Sequence, residues 1–309
     1  MRACIAQPVT TGGRAIPIIE PKLSYLICAT PRSGSTFLCE ALGNTGISGR
    51  PAEHFEVLIE TGRPRRPRDY FQRSNNPEVW GFLDDPEFQE VLGEQGGWYG
   101  DGPAEVEVGK PPDFEKLRRD AFDKGTTENG VFGTKIMWAY FRDFTRLARR
   151  AGRRDVAPGD IPSAVFPSLG SFVWIRRRDT VRQAISLWKA LQTWEWKQDG
   201  DSNVEKPKLR FSYVAVDHLK LRIDEHNAAW KKFFSGYGIR PVEIVYEDFV
   251  KDYKAATLRL LDQIGVFVPE NFTIATTNMK RQSDSLSEEW VREYLQGRHE
   301  RSLQEDTLA

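Results

Sequence analysis

The chain is poor in the residues that hold metals and disulfide frameworks. It has three cysteines, Cys4, Cys28 and Cys39, an odd count without ligand spacing. Its four histidines, His54, His218, His226 and His299, form no H-x-x-x-H pair. A zinc site and a disulfide scaffold are therefore not expected, and a reducing compartment is. Net charge is missing as well. Among 309 residues, 44 basic and 44 acidic side chains sum to +0, so no global field draws the chain to nucleic acid or an anionic membrane. Any anion site must be local. No apolar run approaches the roughly 20 residues that span a bilayer. Residues 1–22 hold Thr10-Thr11-Gly12-Gly13, Pro8 and Pro17 but no apolar signal core. They read as a flexible N-terminal tail, and the cytoplasm is the expected location.

What is present centres on Tyr25-Leu26-Ile27-Cys28-Ala29-Thr30-Pro31-Arg32-Ser33-Gly34-Ser35-Thr36-Phe37-Leu38. The apolar run from Tyr25 to Ala29 predicts a buried strand. Pro31 and Gly34 predict a turn. Phe37, Leu38, Ala41 and Leu42 recur at helical spacing, so a helix begins at about Ser35. Strand, polar turn and helix gather backbone N–H groups and a positive helix end at one point, which suits a phosphate-like anion. Gly34 permits close backbone approach, and Arg32 brings a forked donor. The other reading is a Ser/Thr-capped helix start after a proline turn. The NTPase loop G-x-x-x-x-G-K-[ST] is not here, because no Lys precedes Ser35-Thr36, and neither is G-x-G-x-x-G. Mg²⁺-assisted phosphoryl transfer is accordingly disfavoured.

Downstream, apolar segments of the two periods alternate. Helices are expected over Phe114–Phe122, Phe141–Ala148, Val181–Leu191, Phe211–Phe234, Tyr253–Ile264 and, as an amphipathic C-terminal segment, Ser287–Gln296. Strands are expected over Val131–Trp138, Ser171–Ile175 and Pro241–Tyr246. Such alternation predicts an α/β fold: one domain over residues 23–309 with a mostly parallel sheet flanked by helices. Residues 62–112, rich in Pro, Gly and Arg and with only a weak period near Phe88, Val91 and Leu92, predict an irregular insertion beside a substrate site or a solvated loop. Three cationic positions fall at carboxyl ends of strands, where parallel sheets bind ligands: the Arg32 loop, Lys135, and Arg176-Arg177-Arg178. Cys28 and Cys39 read as inert small hydrophobes.

These stretches, with Pro51-Ala52-Glu53-His54-Phe55, Gly130–Trp138, Arg177–Trp188, and Arg281-Gln282-Ser283-Asp284 followed by Glu289-Trp290-Val291, resemble the bacterial sulfotransferases that use 3′-phosphoadenosine-5′-phosphosulfate (PAPS). The resemblance is to the mycobacterial trehalose 2-sulfotransferase type and spans roughly Tyr25 to Tyr294. It implies a P-loop-like α/β fold and transfer of a sulfuryl group to a hydroxyl of a carbohydrate or glycolipid-type acceptor. That transfer is in-line and metal-independent, releases 3′,5′-ADP, and is carried out by a homodimer.

By the same resemblance, Arg32, Ser33, Gly34, Ser35 and Thr36 hold the 5′-phosphosulfate. Arg177 and Ser186 hold the 3′-phosphate, with Arg178 an alternative to Arg177. Arg281 and Gln282 lie in a loop over the nucleotide. Glu53 matches the general base, a role a hydroxyl nucleophile requires, and His54 is its neighbouring rival. Lys135 matches a lysine that assists at the sulfuryl group or leaving phosphate. Trp138, Trp188, Trp194 and Trp196 suit the core, though any one of them can stack on a base or sugar. Two rival functions stand beside this one: a small-molecule kinase on a related sheet, and a nucleotide-binding protein of the same fold without catalysis.

Overall fold

The computed structural model describes residues 20–86, 111–193, 196, 209–270, 272–275 and 285–308. The period near Phe88, Val91 and Leu92, the tail before Glu20, Trp194, Arg281 and Gln282 lie outside them.

Four parallel strands form one sheet in the order β2-β1-β3-β4: β1 Leu23–Ala29, β2 Val131–Met137, β3 Leu169–Arg176 and β4 Val242–Val245. β1 is central, and its near-continuous apolar sequence fits burial on both faces. Leu26, Ile27, Cys28 and Ala29 are all fully buried. At about 1.5–3 kcal/mol for each large apolar side chain, this strand anchors the fold. Gly133 of β2 lies opposite Tyr25, and a Cβ there would come within 2.4 Å of the Tyr25 ring. The missing side chain lets the ring lie flat and donate its hydroxyl to the carbonyl of Ser48 at 2.7 Å.

The connections are helical. α1 Ser35–Gly43 follows β1, and α2 Pro77–Leu83 follows a 3₁₀ turn at Pro67–Tyr70. α3 Phe114–Gly125 leads into β2, and α4 Trp138–Arg150 leaves it. α5 Ile161–Val165 precedes β3, and α6 Thr180–Thr193 and α7 Tyr213–Gly236 follow it. After β4 come α8 Tyr246–Phe249, α9 Tyr253–Gln263 and α10 Ser285–Leu308. One core lies on the sheet. A second, containing Trp188, Ile223 and Trp290, is formed where α6, α7 and α10 pack together.

The expected elements are present with shifted ends. α7 begins at Tyr213 because the Ser212 side chain accepts from the backbone of Ala215 and caps it. α10 runs past Gln296 to Leu308. Its apolar stripe of Trp290, Val291 and Tyr294 stops early, while good helix formers such as Arg301, Leu303 and Gln304 continue the coil on an exposed segment. The short α8 carries too few residues for any period to show in sequence, yet it shapes the site. No described helix is long and apolar enough to cross a membrane.

Candidate active site

The loop after β1 is held from beneath. Trp230 of α7 donates to the carbonyl of Ala29 at 2.9 Å, and the buried Gln183 amide of α6 donates to Thr30 Oγ1 at 2.9 Å and to the Pro31 carbonyl at 2.6 Å. Two residues then adopt left-handed backbone, Arg32 at φ 60° and Gly34 at φ 90°. Such a turn aims successive N–H groups outward. The Ser33 hydroxyl is buried and has no hydrogen-bond partner. It does not line the cavity described below.

Two guanidinium groups converge there. Arg32 Nε donates to Ser186 Oγ at 3.0 Å and its Nη1 to the Trp196 carbonyl at 2.8 Å. Burial, with the like charge of Arg177, pushes Arg32 down to about 10. Arg177 is also lowered, chiefly by burial. Its guanidinium lies 5.0 Å from the centre of the Tyr246 ring, its Nε makes no hydrogen bond, and its nearest carboxylate, Glu247, is 3.8 Å away. Like charges held together away from water favour a polyanion between them. The neighbouring arginines differ. Arg176 pairs with Glu243, and Arg178, 57% exposed, pairs with Asp248 at 2.6 Å. Neither lines the cavity described below.

Glu53 reaches the site by a different route. Residues 49–53 run along the outer edge of β2: the Gly49 and Arg50 N–H groups donate to Thr127 Oγ1 and the Gly125 carbonyl, and Lys135 N–H donates to the Ala52 carbonyl at 2.9 Å. That last bond sets Glu53 beside Lys135, with Lys135 Nζ 2.7 Å from Glu53 Oε1 and 3.3 Å from Thr36 Oγ1. Lys135 is 4% exposed. Burial alone would lower it, and the Glu53 carboxylate more than offsets that and raises it. Phe55, buried against Phe144, Phe166 and Phe114, pins the turn. His54 points elsewhere. Its ring stacks on Phe132 and its Nε2 meets the Arg50 carbonyl at 3.2 Å, and it does not line the cavity.

A single cavity of about 1000 Å³ joins these groups. One end holds Arg32, Gly34, Ser35, Thr36, Arg177 and Ser186. The other holds Glu53, Glu56, Arg50, Arg65, Tyr70 and Tyr140. Lys135 lies between the two sets. Trp196, Tyr246 and, from the start of α10, Ser287 and Glu288 complete the wall. Glu56 and Tyr140 escaped the sequence reading. A second glutamate three residues from the first, with a buried aromatic between, was the available signal. Tyr246, which the sequence places at the end of a strand, opens α8 instead.

A loop of left-handed backbone at the switch point of an α/β sheet, with two convergent arginines and a carboxylate in the same cavity, suits a polyanionic ligand. The family model described as Stf0 sulphotransferase matches residues 24–297, and the chain belongs to that family. It is similar to trehalose 2-sulfotransferase from Mycobacterium tuberculosis (strain ATCC 35801 / TMC 107 / Erdman), 30% identical over 275 residues that cover 87% of this chain and 93% of the relative. Trehalose 2-sulfotransferase from Mycolicibacterium smegmatis (strain ATCC 700084 / mc(2)155) is 28% identical over 277 residues, 88% and 94% of the two chains. Among solved structures, a sulfotransferase domain from the Synechococcus PCC 7002 olefin synthase shares 16% identity over 88% of this chain and 84% of that one. Its TM-score of 0.39 is too loose a likeness to argue from.

Proposed function

We propose that this sulfotransferase takes its sulfuryl group from PAPS and passes it in line to a hydroxyl of a carbohydrate or glycolipid-type acceptor. One observation carries the reading: the anion loop with its two arginines and the Glu53–Lys135 pair open into the same cavity. Arg32 and Arg177, both lowered chiefly by burial, fit a polyanionic donor.

In this reading the residues divide the work. Backbone N–H groups of Gly34–Thr36, with Arg32, meet the charge that grows on the transferring and departing oxygens. Arg177 and Ser186 receive the 3′-phosphate. Arg281 and Gln282 belong to the same proposal, as residues over the nucleotide. Glu53 takes the acceptor's proton as its oxygen attacks sulfur. Lys135, between Glu53 and Thr36, steadies the base and adds positive charge next to the loop. These cations supply what a metal would otherwise supply, so the transfer is proposed to need none. The wall from Pro64 to Tyr70 supports the part of the 62–112 segment assigned to the acceptor side. A homodimer in the cytoplasm completes the proposal and rests on the family resemblance and the cysteine usage.

The test is transfer of ³⁵S from labelled PAPS to trehalose, to other saccharides and to the host's polar lipids, with 3′,5′-ADP binding measured alongside. Arg32→Ala should abolish transfer. Glu53→Gln should cut turnover by about 10²-fold or more while 3′,5′-ADP still binds. ATP- and Mg²⁺-dependent turnover without PAPS would favour the kinase. Binding of 3′,5′-ADP without transfer to any acceptor would favour the non-catalytic protein.

A further inference from the structure

We propose that the base is the Glu53–Glu56 pair, with Glu56 a positioning residue that shares one proton with Glu53 at rest and sets the proton affinity at which the acceptor hydroxyl is deprotonated. The proposal deepens the sulfotransferase reading and rests on it.

The geometry comes first. Glu56 N–H donates to the Glu53 carbonyl at 3.2 Å in a tight turn, which throws both side chains into the cavity on either side of the buried Phe55. Both carboxyl groups open into the same cavity, where ionising the two together is disfavoured. Each carboxyl has a different partner. Glu53 faces Lys135 from β2 at 2.7 Å, and Glu56 accepts from the Tyr140 hydroxyl of α4 at 3.4 Å. The Tyr140 oxygen in turn accepts from Arg65 N–H at 2.7 Å, and Tyr70 of the 3₁₀ turn lies behind it. The charged groups around Glu56 are Glu53, Lys135 from β2, and Arg50 and Arg65 on the same end of the cavity, with two neutral phenols. Burial, then the charge of Glu53, pushes Glu56 up to about 7. These contacts make two arms, Arg65–Tyr140–Glu56 and Glu53–Lys135–Thr36, whose carboxyl groups open into the same cavity.

The proton balance selects the working form. In transfer, the acceptor O–H bond breaks and an O–S bond forms. The bridging S–O bond breaks with its electron pair leaving on 3′,5′-ADP, and the proton goes to Glu53. If Glu56 enters protonated, the step ends with two neutral acids beside the Lys135 ammonium. If Glu56 enters ionised, it ends with the single proton the pair holds at rest. The doubly ionised pair is therefore the stronger base, and its fraction rises with pH across the Glu56 titration.

The decisive measurement needs no acceptor. Protein labelled with δ-¹³C glutamate is titrated by NMR as wild type, Glu56→Gln and Glu53→Gln. One glutamate carboxyl should titrate near 7 in the wild type, vanish in Glu56→Gln and fall toward the ordinary carboxylate range in Glu53→Gln. A wild type with no glutamate titrating above about 6, or a high-pH titration that persists in Glu56→Gln, overturns the shared proton. The second arm uses the acceptor that supports ³⁵S transfer. Wild-type kcat should rise about tenfold from pH 6 to 8, while Glu56→Gln, whose amide mimics the protonated acid, stays flat at the low-pH level with KM unchanged. A wild-type slope in Glu56→Gln overturns the role in turnover. Transfer to no acceptor, with the NMR signature intact, sinks the parent reading and the base role together and leaves only the shared proton.

Discussion

A Cβ on Gly34 would lie 2.1 Å from Cδ2 of Tyr246, and Gly34 itself sits at φ 90°. The two residues explain each other. The ring closes on the loop because nothing projects from Gly34, and the same ring carries the Arg177 guanidinium 5.0 Å from its centre. Packing of α8 against the loop thus positions both the loop backbone and Arg177.

Gly34→Ala should disable the loop through two separate effects. Left-handed backbone costs a residue with a Cβ about 1–2 kcal/mol, and the ring must also move. Affinity for 3′,5′-ADP, measured by calorimetry, should fall at least about tenfold. Adding Tyr246→Ala should restore only part of it, because the contact is relieved while Arg177 loses its support. Normal binding by Gly34→Ala would mean the nucleotide does not use this loop.

Arg177 and Arg178 are adjacent in sequence and separated in space. Arg177 is 17% exposed and lines the cavity, whereas Arg178 is 57% exposed and paired with Asp248. A charge-assisted hydrogen bond contributes about 1.5–3 kcal/mol, so Arg177→Ala should weaken 3′,5′-ADP binding about 10- to 150-fold. Arg178→Ala should change it less than about twofold, since an exposed ion pair contributes little. Equal effects would undo the assignment.

Sequence reached the anion loop because its signals are local: an apolar run, a Pro and Gly turn, and a helical period starting at Ser35. The arginine triplet closing a strand is as local, but which of Arg176, Arg177 and Arg178 faces the cavity is not, and burial separates them. The Glu53–Lys135 pair was present only as two separate candidates. What joins them is the bond from Lys135 N–H to the Ala52 carbonyl, made by a segment with no period of its own. Glu56 was lost in that same irregular stretch. Tyr246 was read into β4, since one turn of helix leaves no pattern. His54 is only the neighbouring rival of Glu53 in the sequence, and the stacking of its ring on Phe132 turns it away from the cavity.

The ion pair between Glu53 and Lys135 should cost unequally when broken from its two sides. Lys135 is 4% exposed and Glu53 is 23% exposed. Glu53→Ala takes the direct partner from a buried ammonium, leaves it only the more distant Glu56, and should destabilise by about 1–3 kcal/mol in urea unfolding at pH 7. Lys135→Met leaves a carboxylate that water can reach, and should cost less. The raised Lys135 keeps its contribution throughout neutral pH and loses it only as pH climbs above its ordinary value. The double variant should recover about 0.5–3 kcal/mol relative to the sum of the singles. Simple additivity would show that the pair has no coupling of its own.

His226 makes the fold acid-sensitive from the side of the site. Its Nε2 accepts from Arg222 Nη2 at 3.1 Å, so the ring must be neutral. Burial, then Arg222, Arg65 and Arg73, pushes it down to about 3. The unfolded chain takes up this proton below about 6.5 and the folded chain does not, so stability falls as pH drops through that value. At about 1.36 kcal/mol per unit, the loss from pH 6.5 to 5 is roughly 2 kcal/mol. Glu56 acts with the opposite sign. Its raised carboxyl binds a proton in the folded state first, so its contribution grows as pH falls from about 7. Urea unfolding of the wild type and His226→Gln at pH 7.5 and 5 separates the two, because Glu56, His54 and His218 are common to both proteins. His226→Gln should lose about 2 kcal/mol less on acidification, and identical losses would place the His226 proton uptake in the folded state as well.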